Sequence, residues 1–289
     1  MARVLAILAA LGIITAGSTL RAQNRPLPDQ ESFLIETRKH LQTDSTLQSG
    51  YVYVETRREL KLDKGGHTRE ESVKMFESYP GFPGEERWER LIAEDGRPVP
   101  SEELARQDRE RQQKAYEMVQ RLARNSSKEL ARQERELQKA RRERDEALSD
   151  IYNVFEIRML GRERVEAHDT IAFLLTPRRD AKPKTRAGDQ IRHFSLRAWV
   201  SENDHELVKL EADAIDDLKS GLGLLARLHK GARLSFLRRK VNGEVWLPAV
   251  VSYNGSARVG LLFTLRRSGT SEFSGYRKYS VDTLEGFKK

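Results

Sequence analysis

The sequence predicts a mainly β protein, a curved antiparallel sheet interrupted by one long charged helical insertion. Two observations carry that prediction. The stretch Leu234 to Leu265 places two Asn-Gly pairs, Asn242-Gly243 and Asn254-Gly255, between runs of β-branched, aromatic and aliphatic residues. Asn-Gly accepts the positive φ angles of a type I′ turn, so the stretch reads as a three-stranded meander. By contrast, the 47 residues from Glu102 to Leu148 contain no Gly or Pro, and 24 of them are charged, 13 basic and 11 acidic. That texture is helical and solvated.

Taken in order, residues 1–22 read as a secretory signal. Arg3 precedes an apolar run of 11 residues, Val4 to Ile14, too short to span a bilayer. Cleavage near Ala22 leaves Gln23 first and a periplasmic protein without a membrane span. Residues 23–289 read as one domain. Asp29 to Thr46 is an amphipathic helix, with Phe33, Leu34, Ile35 and Leu41 as its apolar residues. Tyr51 to Leu62, Val73 to Tyr79 and Trp88 to Ala93 are strands, separated by turns at Asp63 to Gly66 and at Pro80 to Gly84.

Ser101 followed by Glu102 and Glu103 starts the insertion, because acids favour a helix N-terminus. Asn125-Ser126-Ser127 interrupts it, and Ser126 with Glu129 forms a capping box for a second helix. The expectation is a helical hairpin, 102–124 and 127–149, with one continuous helix as the rival. Its apolar stripe is thin, so it should add little to the core and serve as a spacer or as an arm for an envelope protein partner. Sheet texture resumes at Ile151 to Val165, turns at Ala167 to Asp169, and returns through Thr170 to Thr176. Pro177 to Gln190 is a basic, turn-rich loop whose charges suit either solvent or anionic headgroups. Phe194 to Val200 and Leu207 to Ile215 form a hairpin. Ser220 to Leu228 reads as a short helix near an opening, and Phe273 to Val281 as the last strand before a polar tail.

Composition narrows the function. Formal charge is +8 over 289 residues, and the first 22 residues hold two of the cations, leaving +6. The 44 acids mixed among the bases argue against a nucleic-acid surface. The absence of cysteine excludes thiol catalysis and Cys-ligated zinc. The six histidines have no metal-ligand spacing, and no nucleophile elbow or phosphate loop occurs. The chain reads as a non-enzyme without cofactor or metal.

The segments Gly243-Glu244-Val245-Trp246-Leu247-Pro248 and Phe273 to Thr283, with a signal peptide, an N-terminal helix and late hairpins, together resemble the periplasmic outer-membrane lipoprotein-sorting proteins. That superfamily includes the lipoprotein carrier, its outer-membrane receptor and the amino-terminal domain of a periplasmic sigma-factor regulator. The resemblance spans most of residues 30–100 and 150–283 and omits the insertion. It implies an unclosed β-barrel with helices on its concave side and a cavity for the acyl chains of lipid or lipoprotein. The expected function is a carrier in outer-membrane lipoprotein sorting; the alternative is an interaction or envelope-stress sensing module of the same fold. Large apolar residues on expected strands, Trp88, Trp199, Leu234, Phe236, Leu261 and Phe263, are the candidate lining.

Overall fold

The computed structural model describes residues 25–81, 87–124, 127–220, 226–259 and 263–279. The expected signal segment, the end of the expected last strand at 280–281, the polar tail from Asp282 and Leu261 lie outside these residues, as do the side chain of Phe263 and the middle of the Ser220 to Leu228 segment.

Helix α1, Gln30–Ser49, leads into β1, Tyr51–Leu62. Asp29 caps α1 by accepting from the Ser32 N–H at 3.0 Å. β2 (Thr68–Tyr79), β3 (Trp88–Glu94) and the short β4 (Arg97–Pro98) continue the meander. Two helices follow, α2 (Ser101–Arg124) and α3 (Ser127–Val154). The second half contains β5 (Phe155–Val165), β6 (His168–Pro177), the short α4 (Arg186–Ile191), β7 (Phe194–Ser201) and β8 (Leu207–Ala214). β9 (Leu218–Ser220), β10 (Ala226–Leu228), β11 (Arg233–Val241), β12 (Val245–Val259) and β13 (Phe263–Lys278) complete it.

The described strands form one unclosed antiparallel sheet in the order β4-β3-β2-β1-β13-β12-β11-β8-β7-β6-β5, with β9 and β10 attached beside β12. The insertion therefore joins the two outer edges of the sheet in sequence. The chain leaves at β4 and re-enters at β5, with α3 running straight into the strand at Val154 and Phe155.

Each free edge is met by a glutamine. On β5, Gln30 Nε2 donates to the Ile157 carbonyl at 3.0 Å and Gln30 Oε1 accepts from the Met159 N–H at 2.9 Å. On β3, Gln107 Oε1 accepts from the Leu91 N–H at 2.9 Å and its Nε2 donates to the Leu91 carbonyl at 3.1 Å. A primary amide has one donor face and one acceptor face, so it satisfies an exposed edge as a neighbouring strand would.

Four sequence expectations need correction. Asn242-Gly243 makes the expected turn, with φ of 53° and 71°. Asn254-Gly255 does not: both residues lie inside β12, paired with β13, and the real connection falls at 260–262, outside the described residues. Gly255 serves a close approach instead, since a Cβ there would lie 2.8 Å from that of Ala232. The Ser220 to Leu228 segment contributes two paired strands at its ends, where a helix was expected. The expected strand start at Ile151 is still helix, because α3 continues to Val154. The insertion, 102–149, is also tied to the body through α2, and α3 runs past its expected end into the core. Arg111 of α2 stacks on Tyr79 and Trp88 at 4.3 and 4.5 Å, Met118 is buried, and the last turn of α3 buries Asp150 and Val154.

Asp150 is fully buried and accepts hydrogen bonds from the Lys184 and Thr185 N–H groups and from Thr185 Oγ1, at 2.7–3.0 Å. Burial disfavours its charge, but these donors, with Asn153, outweigh it and hold the carboxyl down to about 2. The interaction fastens the loop before α4 to α3. A depressed carboxyl stabilises the fold above its ordinary value near 4, and that contribution is lost as pH falls towards 2. Asp150→Ala should cost about 3 kcal/mol in urea unfolding at pH 7, because it strands buried N–H groups. It should also flatten the acid limb of stability against pH between 4 and 2; a wild-type acid limb that survives the substitution would contradict this account.

Candidate functional site

Residues paired directly across an antiparallel sheet lie on the same face, so the register assigns every strand side chain to a side. One row reads Ile157, Leu175, Leu196, Ala212, Leu234, Tyr253, Gly269, Glu59 across eight strands. The next row on that face includes Met159, Phe173, Ala198, Leu210, Phe236, Val251, Ser271 and Arg57.

This inner face has three regions. Over β5 to β8 it is the main core, where Phe33 of α1 packs against Phe173 at 5.8 Å among Phe155, Ile171, Leu175 and Val200. Over β1 and β2 it is charged: Arg57 pairs with the buried Glu55 at 2.9 Å and with Glu89 at 3.0 Å, and lies over the Phe76 ring at 4.6 Å. Between the two, on β10 to β13, apolar residues stand open. Leu234, Tyr253 and Leu265 are 40%, 38% and 41% exposed. With Phe194, Leu228 and Ala257 they line a hollow of about 330 Å³ that is almost wholly apolar. The opposite face of β8 and β11 to β13 carries Glu211, Asp213, Arg233, Ser235, Ser252, Asn254, Ser268 and Thr270. Polar outside and apolar inside is the pattern of an antiparallel sheet with one face in water.

Two glycines shape the floor. The Tyr253 ring lies across Gly269, where a Cβ would meet its Cε1 at 2.5 Å, and Gly255 admits Ala232. Burial raises the pKa of the Tyr253 hydroxyl, and Glu59 adds to the effect; Arg267 and Arg57 oppose it. Arg267 stands at the border of the hollow, 3.7 Å from Glu59. No group of three or more metal-ligating side chains occurs among the described residues. Among the described residues, the side chains that line the hollow offer mainly apolar contact.

The structure divides the candidate lining residues. Leu234 lines the hollow. Phe236 shares its face one row away, half-buried, with Leu210 and Val251 as its cross-strand neighbours. Trp199 pairs with Lys209, so it lies on the opposite face, buried under Arg197 and Lys209 with its Nε1 donating to Glu163 at 2.8 Å. Trp88 is on that opposite face too, stacked with Tyr79 and covered by Arg111. Leu261 and the side chain of Phe263 lie outside the described residues. Sequence reasoning missed Tyr253, Leu228, Phe194 and Leu265. The usable signal was the spacing of two that links Tyr253 to Gly255 and Ala257 in one strand.

No family model matches this sequence, and no curated protein matches it. Solved structures do resemble the chain. A putative outer membrane lipoprotein-sorting protein domain from Vibrio parahaemolyticus is 8% identical, with a TM-score of 0.34, over 90% of this chain and 99% of that one. The LolA superfamily protein NE2245 from Nitrosomonas europaea is 10% identical, with a TM-score of 0.29, over 89% and 97%. The Pseudomonas aeruginosa MucA/MucB complex contributes a chain 9% identical, with a TM-score of 0.24, over 86% and 99%. At these values, function has to be read from the chain's own side chains.

The Tyr253–Gly269 contact gives a local test. Gly269→Ala should push the ring off the strand and cost about 1–3 kcal/mol in urea unfolding, as overpacking does. The double variant Gly269→Ala/Tyr253→Ala should recover part of that loss. Additive effects of the two changes would contradict the contact.

Proposed function

We propose that this protein is an exported, non-enzymatic carrier that holds an acyl chain of a lipid or lipoprotein on the open part of its inner face. The observation that supports the reading is the region around Leu234, Tyr253 and Leu265, where apolar side chains of an inner sheet face stand uncovered beside a packed core. A fully solvated sheet face would carry polar residues there, as the other side of the same strands does. Ten buried methylenes contribute about 8 kcal/mol before ordering costs, which corresponds to roughly micromolar affinity. That strength suits a carrier that must also release. In this reading the role belongs to outer-membrane lipoprotein sorting, and the protein works in the periplasm after cleavage near Ala22.

A second reading, an interaction or envelope-stress sensing module, has one observation in its favour. Tyr116 and Val119 on α2 are 66% and 62% exposed, three residues apart on one helix face. They would meet an envelope protein partner through the insertion.

The two readings separate with a fluorescent fatty-acid probe. The carrier reading expects saturable binding that phospholipid or a lipopeptide displaces. Leu234→Glu should weaken binding at least tenfold, because a carboxylate against the chain must be desolvated. Leu234 is half-exposed, so that variant should keep the unfolding midpoint within a few degrees. Leu247→Glu, at a position 1% exposed, should unfold the protein. No saturable probe binding by wild type, or full binding by Leu234→Glu, would overturn the carrier reading.

A further inference from the structure

A second groove, of about 520 Å³, lies at the free edge of β5, well apart in the sheet order from the hollow on β10 to β13. Its lining includes the apolar side chains Leu34, Ile35, Tyr152, Phe155 and Ile157, and the cations Arg38, Lys39 and Arg178. Ile35 is 51% exposed and Tyr152 36%, so apolar groups project into solvent where α1 passes the last turn of α3.

The loop that starts at Arg178 continues this cationic border. Arg178 is fixed by its own N–H, which donates to the Val154 carbonyl at 2.8 Å, and by Nε, which donates to the Phe155 carbonyl at 3.1 Å. Arg179, Lys182, Lys184 and Arg186 follow, all exposed. Asp150 holds Lys184 and Thr185 by their backbone N–H groups, so the loop is fastened beside the groove while its cationic side chains remain in water. The exposed acids on these elements are Glu31 in the lining, Asp145 and Glu146 towards the end of α3, Glu156 on β5 and Asp180 in the loop; Lys39 is paired with Glu36 and Asp189 with Arg192. Within the loop 178–186 the balance is clearly positive.

Exposed apolar side chains flanked by fixed exposed cations match one kind of partner. A bilayer presents closely spaced phosphates with acyl chains immediately beneath them. Cations at its surface attract it, and adjacent apolar groups enter the interface. We propose that the β5 edge, with α1, the end of α3 and the loop 178–186, is a docking surface for the anionic phospholipid headgroups of a membrane. The surface positions the protein on the bilayer, and the apolar hollow is a separate site.

Vesicle co-sedimentation of the full mature chain tests this. Wild type should partition onto phosphatidylglycerol vesicles and not onto phosphatidylcholine vesicles, and 0.5 M NaCl should release it. Arg179→Glu/Lys182→Glu should weaken the partition at least tenfold, since each surface cation near an anionic leaflet is worth about fivefold. Ile35→Ser should weaken it several-fold while leaving the salt dependence in place. Leu234→Glu should bind vesicles like wild type, which separates this surface from the acyl site. Equal binding to both lipids, or full binding by the double charge reversal, would overturn the proposal. A double variant that has lost its cooperative unfolding transition is replaced by Arg179→Gln/Lys182→Gln, for which a tenfold loss is again expected and undiminished binding again refutes.

Discussion

An antiparallel sheet that does not close has two edges whose backbone groups must find partners, and the arrangement of this protein follows from how it meets that demand. Gln30 on α1 serves β5, and Gln107 on α2 serves β3. Because both glutamines are on helices, fixing the edges also fixes the helices. α1 is drawn to the β5 side, where Phe33 covers the inner face of β5 to β8. α2 is drawn to the β3 side, where Arg111 covers the opposite face at Tyr79 and Trp88. α1 also approaches β12, but no described residue of either helix lines the apolar hollow on β10 to β13.

The charged insertion takes a different role in this light. Most of its described side chains are exposed, as its composition requires, but its two ends are structural. One end completes the edge of β3, and the other becomes the buried turn that carries Asp150 and Val154 directly into β5. The single sheet thus has its two outermost strands joined in sequence by helices. An excursion of high charge density is tolerated because few of its residues must leave water.

The strands of the first half and the Asn242-Gly243 turn were legible in the sequence because their signals are local: β-branched runs, alternation and a dipeptide that accepts positive φ. Asn254-Gly255 carried the same local signal and misled, since its glycine answers a tertiary demand, the approach of Ala232, which no local pattern reveals. The helix expected in Ser220 to Leu228 failed for a related reason: Ala226 and Leu228 form a strand only because β12 is there to pair with. For the site, spacing of two places residues of one strand on a common face, but it does not relate one strand to the next. Trp199 and Leu234 were grouped because both are large and apolar. The register through Lys209 and Ala212 puts them on opposite faces. Tyr253 stands beside Asn254-Gly255, whose local turn signal hides its place on a continuous strand.

The inner face is divided into a part packed under α1 and an apolar part that stands open, where we propose the acyl chain binds. Methyl NMR with a spin-labelled fatty acid reads that division directly. The methyl signals of Leu234, Leu265 and Leu228 should broaden on addition of the labelled chain, while those of Ile171 and Leu175 should remain sharp. Broadening of Ile171 and Leu175 with Leu234 unaffected would contradict the account and place the ligand beneath α1.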